Sequence, residues 1–209
     1  MYGNNSFNVK YGDVFDFSGG RAICGSFEDP KIQALVPGAD FVYTDPPWNE
    51  RVYNQFNKYA GYRTKESYID FLRSLVAFLR IKSIGIVFIE MGMQNTDLLL
   101  GFLEDAGFFK FAVYTCSYGS PPRPYHLVSG TFADLGVFRY NLEGMYGADI
   151  PEKLAEIYRR GYNVFLDPCA GKLGFLKAFV GHGYCVGIEL ISEKLSEGLA
   201  NFANVRKVN

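Results

Sequence analysis

The chain has 209 residues, 48% of them hydrophobic and 17% aromatic, with 21 Lys and Arg against 22 Asp and Glu. That composition suits one packed core, and a net charge of −1 excludes a global attraction to polyanions, so any basic groups that meet nucleic acid must be local. No apolar run approaches the roughly 18 residues of a membrane span, residues 1–10 lack a signal-peptide layout, and the four cysteines and two histidines are too scattered for a zinc set or a disulfide framework; the expectation is a cytoplasmic protein without a metal.

In chain order, the first strand-length apolar run is Ala22 to Cys24, and the stretch AICGSFEDPKIQALV reads as that strand followed by a helix. Phe41 to Thr44 is the next strand, and it runs into Asp45, Pro46, Pro47 and Trp48, the chain's only tryptophan. Two prolines end the strand and hold the following atoms rigidly, because neither donates a backbone hydrogen bond and each fixes φ. The segment after Trp48 interleaves Arg51, Lys58, Arg63 and Lys65 with Tyr53, Tyr59 and Tyr62, the mixture of cations and rings expected of a loop that meets phosphates and bases. A helix follows from Lys65 to Arg80, its apolar residues Tyr68, Phe71, Leu72, Leu75, Val76 and Leu79 at three-and-four spacing.

A strand from Ile84 to Ile89 and a helix from Thr96 to Ala106, stopped by Gly107, come next. Phe109 to Cys116 and Leu135 to Tyr140 have no helix between them, which predicts an antiparallel hairpin at a sheet edge. The connecting SYGSPPRPYHLVSGT, rich in Gly, Pro and Ser, reads as a long functional loop offering Arg123, Tyr118, Tyr125 and His126. Then come a helix from Pro151 to Arg160, a strand from Val164 to Leu166, a helix from Gly174 to Val180, a strand from Tyr184 to Ile188 and a helix from Ser192 to Phe202. Strands alternating with helices predict a largely parallel sheet covered on both faces. No repeat or linker interrupts the pattern, so residues 1–209 read as a single domain.

The second chemical motif is NVFLDPCAGKLGFLKAFVGHGYCVGIEL: a strand ending in Asp167, a glycine-bearing turn with Gly171 and Gly174, a helix, and a strand ending in Glu189. This is the layout of a nucleoside-cofactor site, where the turn lets backbone approach the ligand and an acid at the second strand's tip accepts the ribose hydroxyls.

Together, DPPW and DPCAGKLG resemble the S-adenosylmethionine-dependent amino-methyltransferases of nucleic acids, which carry a D/N/S-P-P-aromatic tetrapeptide and a DPFxGxG cofactor turn. The resemblance runs from AICGSFEDP to GIELISEKL, with Cys169 in place of the family's phenylalanine and Leu173 in place of its second turn glycine. It implies a Rossmann-like class I methyltransferase fold with a mostly parallel, seven-stranded sheet and an antiparallel edge hairpin. The catalytic motif precedes the cofactor motif, an order similar to that of the circularly permuted members. S-adenosylmethionine would lie against Asp167, Pro168, Cys169, Ala170, Gly171, Gly174, Glu189 and Asp45. The Asp45 carboxylate and Pro46 carbonyl would accept the target amine's hydrogens, Pro47 would hold them rigid, and Trp48 would stack on an extruded base. Arg51, Tyr53, Lys58, Arg63, Arg123 and Tyr125 are the expected nucleic-acid contacts. The chain lacks room for a separate target-recognition domain, so loops, a second copy or a partner protein would recognise the target. Asp45 at the first motif position points to adenine N6 in DNA. Cytosine N4, RNA adenine, a protein amide and a non-catalytic partner subunit are the rival readings.

Overall fold

The computed structural model describes residues 7–60, 67–131 and 139–208, with only the backbone described at 59, 60 and 84. The strands are β1 (Val14–Phe17), β2 (Gly20–Cys24), β3 (Ala39–Thr44), β4 (Ser83–Met91), β5 (Phe109–Tyr118), β6 (Arg123–Thr131), β7 (Val164–Asp167), β8 (Tyr184–Glu189) and β9 (Arg206–Val208). They form one sheet in the order β5-β6-β4-β3-β7-β8-β2-β1-β9. The five central strands, from β4 to β2, pair in parallel, and antiparallel pairs flank them at both edges. Among the described residues the sheet therefore has nine strands and is mixed, in place of the expected seven strands with one antiparallel edge.

The edge hairpin exists with a different second strand. β5 pairs with β6, which lies inside the segment that reads as a long loop, while residues 135–138 of the expected partner lie outside the described residues. Residues Leu127 to Thr131 of β6 are all buried, and Pro124 sits near the strand's start, where the loss of a donor is tolerated.

Helices α1 (Pro30–Ala34), α2 (Glu50–Ala60), α3 (Tyr68–Lys82), α4 (Thr96–Asp105), α5 (Ile150–Tyr158), α6 (Gly174–Phe179) and α7 (Ser192–Leu199) cover the faces. α3 starts at Tyr68 because Ser67 and Asp70 form a reciprocal capping box. Alternation along the strands divides the core in two. Phe41, Tyr43, Phe88 and Phe165 pack with α5, α6 and α7, whereas Val42, Val87 and Leu166 pack with α1, α3 and α4. Among the described residues no helix is long and apolar enough to cross a membrane.

Candidate active site

β3 and β7 lie side by side in parallel, with Phe41 opposite Phe165 and Val42 opposite Leu166. From this pair the sheet extends one way through β4 and the other way through β8, so the connections leave in opposite directions and open a crevice at the carboxyl ends. Both sequence motifs start there, and the Thr44 hydroxyl donates to Asp167 Oδ1 at 2.9 Å across the strand tips. The crevice is a cavity of about 620 Å³, the size of a small-molecule site. Its wall includes all of DPPW, together with Pro168, Cys169, Gly171 and Glu189. Of the remaining cofactor candidates, Asp167 and Ala170 are buried, and neither they nor Gly174 belong to the wall.

The tetrapeptide is anchored from several sides. The Tyr68 hydroxyl donates to the Pro47 carbonyl at 2.9 Å, and Asn95 Nδ2 donates to the Trp48 carbonyl at 2.7 Å. The Trp48 indole N–H donates to Asp45 Oδ1 at 2.7 Å. One face of the indole stacks on Tyr125, with ring centroids 5.0 Å apart and planes at 22°, and Tyr118 meets it edge-on at 5.2 Å. A base stacking on Trp48 therefore has only the opposite face available.

In the turn after β7, Asp167 Oδ1 also accepts from the Cys169 N–H at 3.0 Å, and the Ala170 N–H donates to the Ile188 carbonyl at 2.8 Å. Glu189 accepts the Gly171 N–H on Oε2 and the Ile191 N–H on Oε1, both at 2.7 Å. The acid expected to hold a ribose thus also ties the turn to its own strand. Gly171 and Leu173 both adopt positive φ, 53° and 58°. Leucine there is strained, but its side chain is fully buried in the core and leaves the cavity unobstructed.

Four adjacent strands each present an acid at this edge: Glu90 near the end of β4, Asp45 just after β3, Asp167 ending β7 and Glu189 ending β8. Asp45 opens onto the cavity, yet protein surrounds it on most sides, and burial raises its pKa to about 6 against the lowering effects of the Trp48 N–H and the Lys194 charge. Burial, then the Asp45 charge, pushes Glu90 up to about 8. Burial likewise raises Asp167 to about 8, and its Oδ2 is buried without a hydrogen-bond partner. Glu189 is also raised, again chiefly by burial, although the Ile191 and Gly171 N–H groups and Lys194 oppose the shift. Lys194 is the one cationic side chain on the wall among the described residues, and its ammonium sits 3.9 Å over the Phe56 ring. A concavity with this charge balance favours a cationic ligand. No cluster of His, Cys, Asp and Glu among the described residues has the arrangement of a metal site.

The expected nucleic-acid contacts divide. Arg51 and Lys58 are exposed, but on helix α2 rather than a loop, and Arg123 is exposed at the start of β6. Tyr53 is 3% exposed and packs on Tyr68 and Phe71, so it belongs to the core and the inner cavity wall and is not free to stack on a base outside. Tyr125 is 1% exposed and supports Trp48 from below, which corrects its placement in a solvent-facing loop. Arg63 lies outside the described residues. Sequence reasoning misses Glu90, Tyr68, Asn95 and Lys194. Only Glu90 carries a signal, since it ends an apolar strand in the same way as Asp167 and Glu189.

Neither protein-family profiles nor curated protein sequences give a match to this chain. Solved structures do resemble it. TTHA0409 of Thermus thermophilus, assigned as a DNA modification methylase, superposes with a TM-score of 0.63 at 15% identity, over 87% of this chain and 94% of that one. M1.HpyAVI in complex with S-adenosylmethionine gives 0.63 at 14% identity, over 86% and 97%. The PvuII DNA methyltransferase, which is cytosine-N4-specific, gives 0.61 at 13% identity, over 90% and 88%. The chain has the methyltransferase-like α/β fold of these proteins, with a parallel sheet core.

Proposed function

We propose that this protein methylates the exocyclic N6 amine of adenine in DNA, after base extrusion, using S-adenosylmethionine. The observation that carries the reading is the meeting of DPPW and the Glu189-tied turn on one acidic cavity at the sheet's switch point. The residues present fit the cofactor. Pro168, Cys169 and Gly171 bring backbone to the wall, Glu189 stands at the tip of β8 to accept ribose hydroxyls, and the surrounding acids suit a sulfonium and an ammonium. The cofactor supplies an activated methyl group, so the protein's share of catalysis is orientation and electrostatics.

The adenine amine is a weak nucleophile because its lone pair is delocalised into the ring. Asp45 and the Pro46 carbonyl accept its two hydrogens and localise that pair. The hydrogen bonds from Tyr68 and Asn95 hold the tetrapeptide so that these acceptors do not drift. Trp48 receives the base on its open face, which offsets part of the few kcal/mol of unstacking. Arg51, Lys58 and Arg123, exposed beside this edge, together with Arg63, would take phosphates.

The chain reads as one permuted domain working in the cytoplasm. In support, β2 lies parallel beside β8, and the first strand β1 hydrogen-bonds to the last strand β9. Recognition of the target sequence would then come from loops, a second copy or a partner protein. The test is incubation with labelled cofactor and DNA, RNA or free nucleosides, followed by digestion and chromatography. Label in N6-methyladenine from DNA is expected. Label as N4-methylcytosine, or only from RNA, would overturn the assignment, and cofactor binding without labelled nucleic acid would favour a protein amide or a partner-subunit role.

A further inference from the structure

The methyl-transfer reading uses Asp45 and leaves Glu90, one strand away, without a task. Glu90 is 7% exposed, yet it reaches the wall of the same cavity. Its Oε1 accepts a hydrogen bond from the fully buried Tyr43 hydroxyl. The Tyr125 hydroxyl lies against the same carboxyl, beneath the ring stack that carries Trp48. Because Tyr43 occupies Oε1 as a donor, a proton on this carboxyl resides on Oε2.

The amine-bearing edge of adenine or cytosine pairs N–H donors with a ring-nitrogen acceptor, whereas guanine and thymine pair a carbonyl with an N–H at the corresponding places. We propose that the Glu90 carboxylic acid, held by Tyr43, donates a hydrogen bond to the ring nitrogen beside the target amine, while Asp45 and the Pro46 carbonyl accept from the amine itself. The two acids then complement this edge and oppose the guanine and thymine edges, where oxygen would face oxygen and hydrogen would face hydrogen.

The electrostatics agree with that division. Asp45, at about 6, ionises first, and its charge opposes ionisation of Glu90, at about 8. The titratable groups facing Glu90 are Tyr43 and Asp45 from the β3 side, Tyr125 on β6, Cys116 on β5 and Asp167 on β7. None is a cation, so near neutral pH the pair carries one charge and one proton. The inference rests on the methyltransferase reading and specifies how its substrate is read.

The experiment compares the parent, Glu90→Leu and Glu90→Gln on DNA carrying adenine or 1-deazaadenine, which lacks the ring nitrogen, with calorimetric S-adenosylmethionine binding as the check on folding. Glu90→Leu is expected to lower kcat/KM on adenine by about 5- to 150-fold, the worth of one base contact, with cofactor affinity retained. Glu90→Gln, whose amide keeps both a donor and an acceptor, should recover most of that loss and lack the fall in rate expected of the parent above pH about 8. The 1-deaza substitution should cost the parent far more than it costs Glu90→Leu. Equal 1-deaza effects in both would overturn the proposal, as would Glu90→Gln being as impaired as Glu90→Leu, which is the pattern of a proton acceptor. A parent inactive on all DNA defeats the methyltransferase reading itself, and that is visible before any variant is compared.

Discussion

Leu173 occupies the turn position where the resembling enzymes place glycine, and its replacement tests how this chain keeps the turn. The residue has φ 58° and ψ 27°, a left-handed conformation that costs an L-residue about 1–2 kcal/mol, and its side chain is completely buried. Its surroundings show what holds it there. A Cβ on Gly187 would come within 3.1 Å of Leu173 Cδ2, and one on Gly198 within 2.9 Å of its Cγ, so two glycines on β8 and α7 make the space the leucine fills. Backbone walls collapse poorly. Leu173→Ala should therefore cost about 3–5 kcal/mol, the upper part of the range for a buried leucine, and should leave the turn strained. Leu173→Gly loses the same packing and one further methyl, worth about 0.8 kcal/mol, and adds about 0.4–1 kcal/mol of unfolded-state entropy. It regains the 1–2 kcal/mol of strain, by the same ~1–2 kcal/mol rule for left-handed L-residues. The two sums nearly cancel, so the Gly variant is expected to match the Ala variant to within about 0.8 kcal/mol, where without strain Ala would be favoured by about 1.2–1.8 kcal/mol. Urea denaturation with common m-values measures this directly. A Gly variant less stable than Ala by about 1 kcal/mol or more would refute the claim that backbone strain is stored at this turn.

Glu189→Gln should weaken S-adenosylmethionine binding by about 1–3 kcal/mol, the worth of a charged acceptor, and unchanged calorimetric affinity in a folded variant would remove Glu189 from the cofactor site. Asp45→Ala should retain cofactor binding and lose methyl transfer by orders of magnitude, the mark of an interaction made chiefly in the transition state; turnover close to the parental rate would sink its catalytic role. Replacing Arg51, Lys58 and Arg63 together should weaken DNA binding and flatten its salt dependence, and equal salt slopes would leave them as ordinary solvated charges. Asp45, Glu90, Asp167 and Glu189 all have folded pKa values raised above their ordinary ones, so the folded state holds more protons over that interval. Stability of the ligand-free protein should therefore fall as pH rises from about 4 to about 8, and a urea midpoint that climbs over this interval would contradict the burial argument.

The parts of the fold that are legible in the sequence are those where periodicity and a terminal residue agree. β3, β7 and β8 are apolar runs that end in or beside an acid, and α3 combines three-and-four spacing with a capping box. α2 reads as a loop because its apolar residues, Val52, Tyr53 and Phe56, sit among asparagines, glutamine and charges, and only packing against α3 and the cavity makes it a helix. β6 is hidden by its opening Arg-Pro, and its buried half, Leu127 to Thr131, is polar enough to resemble a loop until β4 and β5 flank it. β1 and β9, four and three residues long, have too little pattern to read alone and are held by pairing, β1 between β2 and β9. In the site, DPPW and Glu189 are visible as motifs. Tyr68 and Asn95 are not, since each reaches the tetrapeptide through a tertiary contact that no local spacing encodes.

The row of acids explains why the cavity is poised for a cation even though it costs the fold stability. Burial is the leading cause of all four upward shifts, which means that the protein has placed carboxyl groups where their charged forms are less favoured than in water. Hydrogen bonds recover part of that cost for Glu189, which accepts two backbone N–H groups, and for Asp167, which accepts from Thr44 and Cys169 on one oxygen. Asp45 has the Trp48 N–H and the Lys194 charge in its favour. Glu90 gains from the Tyr43 hydroxyl, which donates to it. Asp45 and Glu90 reach the cavity beside DPPW, whereas Asp167, whose shift to about 8 and unpartnered Oδ2 make it the least compensated, is shut away from it, and Glu189 is held by two backbone N–H groups. A group left undercompensated in a cleft is a candidate for function because a ligand can supply what the fold does not. A cation bound there favours the ionised form of the nearest carboxylate, and one proton kept on the neighbouring acid leaves a donor beside an acceptor. Which acids reach the cavity beside DPPW and which tie the turn follows from the strand each one stands on, and therefore from the order of strands in the sheet.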